Sequence, residues 1–137
     1  RLAPLDKIDS PLMEGLGLQR VVSSDPSGRA VVEYRVEEHH CHAVAQGGYV
    51  TAWIDSAMAR AVGAATNGEF GANTLEIKVA FYRPALRGQL VTAEGWLDKL
   101  GRQIAFAEGE LRDEEGTVIA KGSSTIKLGN FSRPESG

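Results

Sequence analysis

The segment GYVTAWIDSAMARAVGAAT, residues 48–66, decides the fold of this chain. It is rich in alanine, contains no proline and is apolar on almost every side of a helical projection. Such a composition has high helix propensity, and a helix that is apolar nearly all round is typically buried. The pair Asn67-Gly68 then supplies a helix end. The sequence therefore predicts one long central helix with the rest of the chain packed around it.

Strand-like segments lie on both sides of this helix. Residues 18–24 and 30–37 flank the turn sequence DPSG at residues 25–28, which predicts a β-hairpin. Before them, Ser10-Pro11 predicts a short helix that stops by Gly15 or Gly17. After the central helix, residues 74–81, 89–100, 102–112 and 117–128 are joined by turns. Successive strands joined by tight turns are antiparallel, so we expect a four-stranded meander.

The simplest packing of these elements is an α+β fold in which one antiparallel sheet wraps around the helix. The predicted strands carry many alanines and glycines, which allow a sheet to curve closely. In the first strand after the helix, Leu75 and Ile77 alternate with Thr74 and Glu76, which places Thr74 on the opposite face from Ile77. A single-layer sheet leaves its edges open, so we expect edge pairing into a homodimer.

Composition narrows the functional class. The chain has 137 residues, 42% hydrophobic and 24% charged, which is typical of a single globular domain over residues 1–137. A net charge of −3 disfavours a nucleic-acid partner. Cys41 is the only cysteine, no apolar run is long enough to span a membrane, and the first residues show no signal-peptide core. We expect a soluble, cytoplasmic protein.

Asp55 is the most informative residue of the sequence. It lies in the middle of the predicted buried helix, among Trp53, Ile54 and Ala57. A buried carboxylate is costly unless it is paired or hydrogen-bonded, so its position suggests a functional acid. A structural Asp that is satisfied by a neighbouring hydroxyl remains the alternative.

The sequence Gln46-Gly47-Gly48 comes directly before the helix. Glycines permit close approach of the backbone to a ligand, and the first N–H groups of a helix lack intrahelical partners. Such N–H groups can hold an oxygen that gains negative charge. Seven residues separate Gly48 from Asp55, about two helical turns, so one chain does not place both on one reacting atom. A dimer can combine the glycine of one chain with the aspartate of the other.

Two further clusters invite a chemical interpretation. His39, His40, Cys41 and His42 are contiguous, which does not fit the spacing of zinc sites, so we expect no metal. We expect one imidazole at a cleft instead. Arg83 stands with Arg87 in one predicted loop, and Lys99 with Arg102 in another; these cations can bind phosphates or can be ordinary solvated charges.

Residues 46–58, QGGYVTAWIDSAM, resemble the hotdog-fold acyl-CoA thioesterases of the phenylacetic-acid-pathway, or PaaI-like, type. That family shows a His-Gly-Gly motif, seven further residues to an Asp, and a helix of small residues. It also shows a Thr-containing strand that ends in Arg-Pro-Ala, with a glycine soon after. Here residues 74–85 read TLEIKVAFYRPA and Gly88 follows. The resemblance covers about residues 36–128.

The resemblance implies a hotdog homodimer, often paired into a homotetramer, with acyl-CoA sites at the dimer interface. Asp55 matches the catalytic carboxylate, and Gly47 matches the glycine whose N–H polarises the thioester carbonyl. Thr74 matches a residue that orients water or the acid. The Arg83-Pro84 loop matches the region that holds coenzyme A, and we add Arg102 to the expected substrate-binding residues.

Two positions depart from the family pattern. The motif His is Gln46 here, and the usual Asn six residues earlier is His40. A Gln amide can donate a hydrogen bond to a carbonyl but does not titrate. We expect Gln46 to position the carbonyl and Gly48 and His40 to contact the substrate.

The sequence thus predicts hydrolysis of an acyl-CoA thioester, with Asp55 as general base or nucleophile. No metal or other cofactor is expected, because coenzyme A is part of the substrate. One alternative is a hotdog dehydratase or hydratase, which needs His40 beside Asp55. The other is a non-catalytic acyl-CoA binding module.

Overall fold

A computed structural model describes residues 10–130 of the chain. The expectations about the first nine and the last seven residues lie outside this range. The helices are α1 (Pro11–Leu16) and α2 (Gly47–Ala65), and a 3-10 turn (Glu38–His40) precedes α2. The strands are β1 (Leu18–Asp25), β2 (Arg29–Arg35), β3 (Phe70–Phe81), β4 (Leu90–Leu100), β5 (Ile104–Arg112) and β6 (Val118–Asn130).

The predicted hairpin and both predicted helices are confirmed. Ser10 caps α1 by accepting a hydrogen bond from the Met13 N–H, and Gly17 ends it in the left-handed region at φ 81°. β1 and β2 pair in antiparallel fashion around the predicted turn. Helix α2 begins one residue earlier than expected and ends at Ala65, before the left-handed Asn67 and Gly68.

The strand order corrects the predicted four-stranded meander. The described strands form one antiparallel sheet in the order β1-β2-β4-β5-β6-β3. Only β4, β5 and β6 follow one another as a meander, because β3 pairs with β6 at the far edge instead of with β4. The chain crosses from that edge to the middle of the sheet through residues 82–89. This loop is anchored beside α2, where the Ala45 N–H donates to the oxygen of the buried Ala85.

Helix α2 lies on the concave face of this sheet, as predicted. Its buried residues include Trp53, Ile54 and Met58, which are fully enclosed. The contact is closest at Gly95 on β4, where a Cβ atom would lie 2.6 Å from the Ala57 backbone. Glycines 95, 109 and 122 stand opposite one another on β4, β5 and β6. This cross-strand row lets α2 approach the sheet almost backbone to backbone.

A β-bulge in β3 changes which side chains face the helix. Thr74 pairs with Ile126 and Glu76 with Thr125, so Leu75 is an extra residue without a partner on β6. The bulge breaks the two-residue alternation. Thr74 consequently faces α2 together with Ile77, and Leu75 is 58% exposed. The prediction that Thr74 lies on the opposite face from Ile77 is therefore wrong.

Strand β3 is an open edge of the sheet among residues 10–130, and it carries exposed apolar side chains. Leu75, Phe81 and Tyr82 are each more than half exposed along or just beyond this strand. A long edge strand with exposed apolar side chains is a template for pairing with another chain. Among residues 10–130, no helix is both long enough and apolar enough to cross a membrane.

Candidate active site

The structure brings Asp55 and Thr74 together. Asp55 lies on α2 and is half-buried, and Thr74 lies on β3 beside the bulge. The Thr74 hydroxyl donates a 2.8 Å hydrogen bond to Oδ1 of Asp55. Within the described part of the chain, Oδ2 of Asp55 has no hydrogen-bond partner. One carboxylate oxygen is therefore fixed and the other is available to a water molecule or a substrate.

Gln46 caps the N-terminus of α2. Its Oε1 accepts a 2.7 Å hydrogen bond from the Gly48 N–H, and its backbone oxygen accepts from Tyr49 and Val50. The Gly47 N–H is then the one amide of this first turn that lacks a partner among residues 10–130. The Gln46 side chain also crowds Gly48, where a Cβ atom would lie 2.6 Å from Oε1. Gln46 thus builds the helix end and leaves the Gly47 amide open.

An aromatic side chain that the sequence analysis did not single out lies beside this amide. A Cβ atom at Gly47 would lie 3.4 Å from Cζ of Phe81, the last residue of β3. The ring is 53% exposed. It forms an apolar wall next to an unpartnered hydrogen-bond donor. Its place two residues before the Arg83-Pro84-Ala85 sequence was the only available signal.

Gly47 and Asp55 stay apart within one chain. They are eight residues apart on one helix, about 12 Å at 1.5 Å per residue. Thr74 and Phe81, their neighbours on β3, are also separated by seven residues of strand. The expectation that one chain does not place both groups on one atom is confirmed by this continuous helix.

His40 lies in the core, so it is not the imidazole of the cluster that we expect at a cleft. The side chain is 1% exposed. Its Nδ1 accepts a 2.9 Å hydrogen bond from the Glu37 N–H, so Nε2 carries the proton and donates to the Gly15 oxygen at 2.8 Å. Burial lowers the pKa of the imidazole, although the hydrogen bond to Gly15 opposes this. Neither ring nitrogen remains for a substrate, so the position of His40 gives no support to its predicted contact.

The other residues of this cluster lie outside the core. His39 and His42 are exposed, and the Cys41 thiol donates to the Glu37 oxygen. No group of three His, Cys, Asp or Glu side chains within residues 10–130 is arranged to hold a metal ion.

The predicted phosphate-binding cations do not meet within one chain. The N–H groups of Tyr82 and Arg83 donate to the Ile119 oxygen, at the start of β6. The turn that contains Arg102 is held by a hydrogen bond from Leu128 to Gln103, near the end of β6. These anchors are nine residues apart along β6, about 30 Å. A single phosphate site built from both cations of one chain is therefore excluded.

The fold and the acidic site together are typical of one class of protein. In this class an antiparallel sheet wraps around one helix, and the helix carries a hydrogen-bonded aspartate. A comparison with protein-family models matches residues 42–120 to the thioesterase superfamily, which is more than half of the chain. The chain belongs to this superfamily, and it is a thioester hydrolase with the hotdog fold. The comparison with curated proteins gave no match.

Solved structures support the PaaI-like type. The TT0310 protein of Thermus thermophilus is 33% identical over 86% of this chain and 97% of its own, with a TM-score of 0.75. A mutant of the phenylacetic acid degradation protein PaaI from the same organism is 32% identical to this chain. The match covers 86% of this chain and 98% of the PaaI chain, also with a TM-score of 0.75. A hypothetical thioesterase of Streptococcus pneumoniae, solved with coenzyme A, is 18% identical to this chain. The match covers 81% of this chain and 88% of the Streptococcus chain, with a TM-score of 0.74.

Proposed function

We propose that this protein hydrolyses an acyl-CoA thioester to the free acid and coenzyme A, with Asp55 as the catalytic carboxylate. The observation that carries the proposal is the hydrogen bond from Thr74 to Asp55, which is the only charged residue of α2 before Arg60. A carboxylate fixed through one oxygen keeps the second oxygen pointed at a defined place, as general-base or nucleophilic chemistry requires.

In the general-base route, Oδ2 of Asp55 takes a proton from water while the water oxygen attacks the thioester carbon. The carbonyl oxygen becomes negative in the tetrahedral intermediate. The C–S bond then breaks, and the thiolate of coenzyme A receives the proton from Asp55. In the nucleophilic route Oδ2 attacks the carbon itself, and the C–S bond breaks to release the coenzyme A thiolate. Water then hydrolyses the resulting anhydride to the free acid and the Asp55 carboxylate, and the thiolate takes up the proton that the water gives up. Both routes use only residues of this protein and water, so the proposal includes no cofactor.

The Gly47 N–H serves as the oxyanion donor in this proposal. It is unpartnered among the described residues, it lies at the positive end of α2, and Phe81 shields one side of it. An N–H group in a water-poor setting stabilises a developing oxyanion more strongly than one in bulk water. Gln46 orients this amide by capping the helix, and its Nε2 remains to donate to the substrate. Gly48 supports the same turn.

The reacting groups come from two subunits. Asp55 and Gly47 are about 12 Å apart along α2, too far to act on one thioester within a chain. The open edge of β3 favours pairing with a second copy, and its exposed Leu75, Phe81 and Tyr82 would be covered there. A two-fold axis through an antiparallel β3–β3 pair sets the Thr74 end of one strand beside the Phe81 end of the other. Pairing of two such dimers into a homotetramer is part of the proposal.

The same pairing brings the coenzyme A residues together. Arg83 and Arg102 lie at opposite ends of one sheet, and an antiparallel copy places the Arg83 end of one chain beside the Arg102 end of the other. Both are exposed, and neither forms an ion pair within residues 10–130. Pro84 fixes the loop after Arg83. The coenzyme A bound to the Streptococcus relative supports this substrate class.

The dehydratase alternative receives no support from the site. It needs an imidazole beside Asp55, and both nitrogens of His40 are bonded to backbone groups elsewhere.

A panel of acyl-CoAs with detection of free thiol tests the proposal. Thiol release supports hydrolysis, whereas binding without release would show the non-catalytic module. Short acyl thioesters that lack the nucleotide form the second arm. Arg83→Ala is expected to raise KM for acyl-CoA more than it lowers kcat, because nucleotide contacts are present equally in ground and transition states. An equal effect of Arg83→Ala on both substrate types would refute the coenzyme A assignment.

A further inference from the structure

His40 is a buried polar side chain that the proposed reaction does not use. It is 1% exposed, and both of its ring nitrogens are bonded to backbone groups of different segments. Nδ1 accepts from the Glu37 N–H, and Nε2 donates to the oxygen of Gly15 in α1. A buried polar group with every hydrogen bond satisfied holds its surroundings in one arrangement.

Packing fixes the ring from its faces as well. The His40 ring tilts against Tyr49 at 4.6 Å between centroids and meets Trp53 edge-on at 5.2 Å. Tyr49 and Trp53 both belong to α2. The Trp53 Nε1 donates to the Leu16 oxygen at 2.8 Å, next to the Gly15 oxygen that accepts from His40. The end of α1, the 3-10 turn and the first part of α2 are thus joined through one aromatic cluster.

The backbone of His40 is hydrogen-bonded to the residue that caps helix α2. The Gln46 N–H donates a 2.8 Å hydrogen bond to the His40 oxygen. Gln46 then caps α2 through its Oε1 and its backbone oxygen. Since the Gly47 amide follows Gln46 in the chain, its direction depends on where the His40 carbonyl holds Gln46.

We infer that His40 is a positioning residue: its neutral ring fixes the 3-10 turn whose carbonyl holds Gln46, and it thereby sets the direction of the open Gly47 amide. This inference rests on the proposed function for its catalytic consequence. Its structural part, the link from the His40 ring to the Gln46 and Gly47 amides, holds whether or not the protein acts on acyl-CoA.

The experiment compares His40→Phe with His39→Phe. Phenylalanine keeps the ring shape and removes both hydrogen bonds of His40. His39 is the control for the neighbouring ring. Its Nε2 also lies 2.8 Å from the Gly15 oxygen and its ring centroid lies 4.1 Å from that of His40, but it is exposed and makes no bond to the Glu37 N–H. His40→Leu is the second variant, in case His40→Phe does not fold, since leucine is smaller and likewise removes both hydrogen bonds of the ring.

The first readout is amide hydrogen exchange in the absence of substrate. We expect the Gln46 amide to exchange at least about 10-fold faster in the His40 variant, relative to core amides of β4 and β5, and to be unchanged in His39→Phe. Equal protection of Gln46 in the wild type and in a folded His40 variant would overturn the inference. This outcome does not depend on the substrate, so it is separate from a failure of the proposed function.

The second readout is turnover of the best acyl-CoA well below the Tm of each variant. A misdirected oxyanion donor acts on the transition state, so we expect kcat to fall about 10-fold in His40→Phe with KM within a factor of two. His39→Phe should keep the wild-type kcat. A His40 variant with lower Tm but unchanged kcat would show a purely structural residue and overturn the positioning role.

Discussion

The Thr74 hydroxyl donates a 2.8 Å hydrogen bond to Oδ1 of Asp55, from the edge strand β3 to the central helix α2. This contact exists because of the bulge at Leu75, which turns Thr74 toward the helix. It orients the carboxylate and leaves Oδ2 without a partner among the described residues.

Asp55→Asn should lower kcat by roughly 10²–10⁴, the usual contribution of a positioned acid–base group. Asn keeps the shape and can still accept from Thr74, so the fold should survive. Thermal unfolding and thioester turnover on the same variant provide the measurement. Asp98→Asn, an exposed carboxylate on β4, is the matched control and should retain full activity. An Asp55→Asn protein that turns over at the wild-type rate would end the catalytic assignment.

Thr74→Val removes the hydroxyl but keeps the branched shape, whereas Thr74→Ser keeps the hydroxyl. We expect the Val variant to lose about 10-fold in kcat, because the carboxylate is no longer fixed, which corresponds to about 1.4 kcal/mol of activation free energy. The Ser variant should stay within about threefold of wild type. Steady-state kinetics on the same acyl-CoA compares them, and equal losses in both variants would contradict an orienting hydroxyl.

Mixing two inactive variants tests whether the site is shared between subunits. Asp55→Asn removes the acid, and Gly47→Pro removes the N–H at a helical position that accepts proline. If each site combines Asp55 of one subunit with Gly47 of the other, half of a statistical mixture is heterodimer with one intact site.

The refolded mixture should therefore recover roughly a quarter of wild-type activity. Light scattering should show a dimer or larger assembly in every sample. A mixture that stays inactive although heterodimers have formed, or an active monomer, would exclude the composite site.

Gly95→Ala should destabilise the protein, because the new Cβ atom would lie 2.6 Å from the Ala57 backbone. Backbone on both sides cannot move away without shifting α2, so we expect a loss of about 1–3 kcal/mol in the free energy of unfolding. Gly63→Ala on α2 is the matched control, since nothing lies within 4 Å of its added Cβ atom. It should instead stabilise by about 0.5–1 kcal/mol through helix propensity. Urea denaturation measures both, and equal effects would refute the close helix–sheet contact.

The stability of the fold should depend on pH through His40. Burial lowers the pKa of its imidazole in the folded state below the ordinary 6.5. Above pH 6.5 both folded and unfolded states hold it neutral, and its contribution is complete. Below pH 6.5 the unfolded state takes up the proton first, so the free energy of unfolding falls as the pH drops toward the folded pKa.

His40→Gln has no titrating group at this position and should show a weaker pH dependence below pH 6.5 than the wild type. Chemical denaturation of both proteins between pH 5 and pH 8 gives the difference. Parallel curves for the two proteins would show that His40 does not make this contribution.

The sequence predicts Asp55 and Thr74 as site residues, but it predicts neither Phe81 nor the arrangement of these side chains. Asp55 is predicted as a functional residue because a carboxylate in a buried apolar helix is costly unless it is paired or hydrogen-bonded. The pattern of residues 74–84 indicates the same family. Two-residue alternation, however, assigns Thr74 to the wrong face of β3, because the residue types do not show where this bulge interrupts the alternation. The cluster of three histidines likewise gave no sign of which ring would be enclosed.

The sequence by itself determined the elements: the alanine-rich helix 47–65, the hairpin around residues 25–28 and the strand segments all follow from local propensity and turn chemistry. Only the tertiary structure decided that β3 pairs with β6, that Arg83 and Arg102 lie at opposite ends of the sheet, and that His40 is buried. The physical reason is that strand order and burial depend on contacts between residues far apart in the chain. The loop of residues 82–89 is long enough for β3 to pair with either β4 or β6. The close packing of α2 against Gly95 selects one of these arrangements.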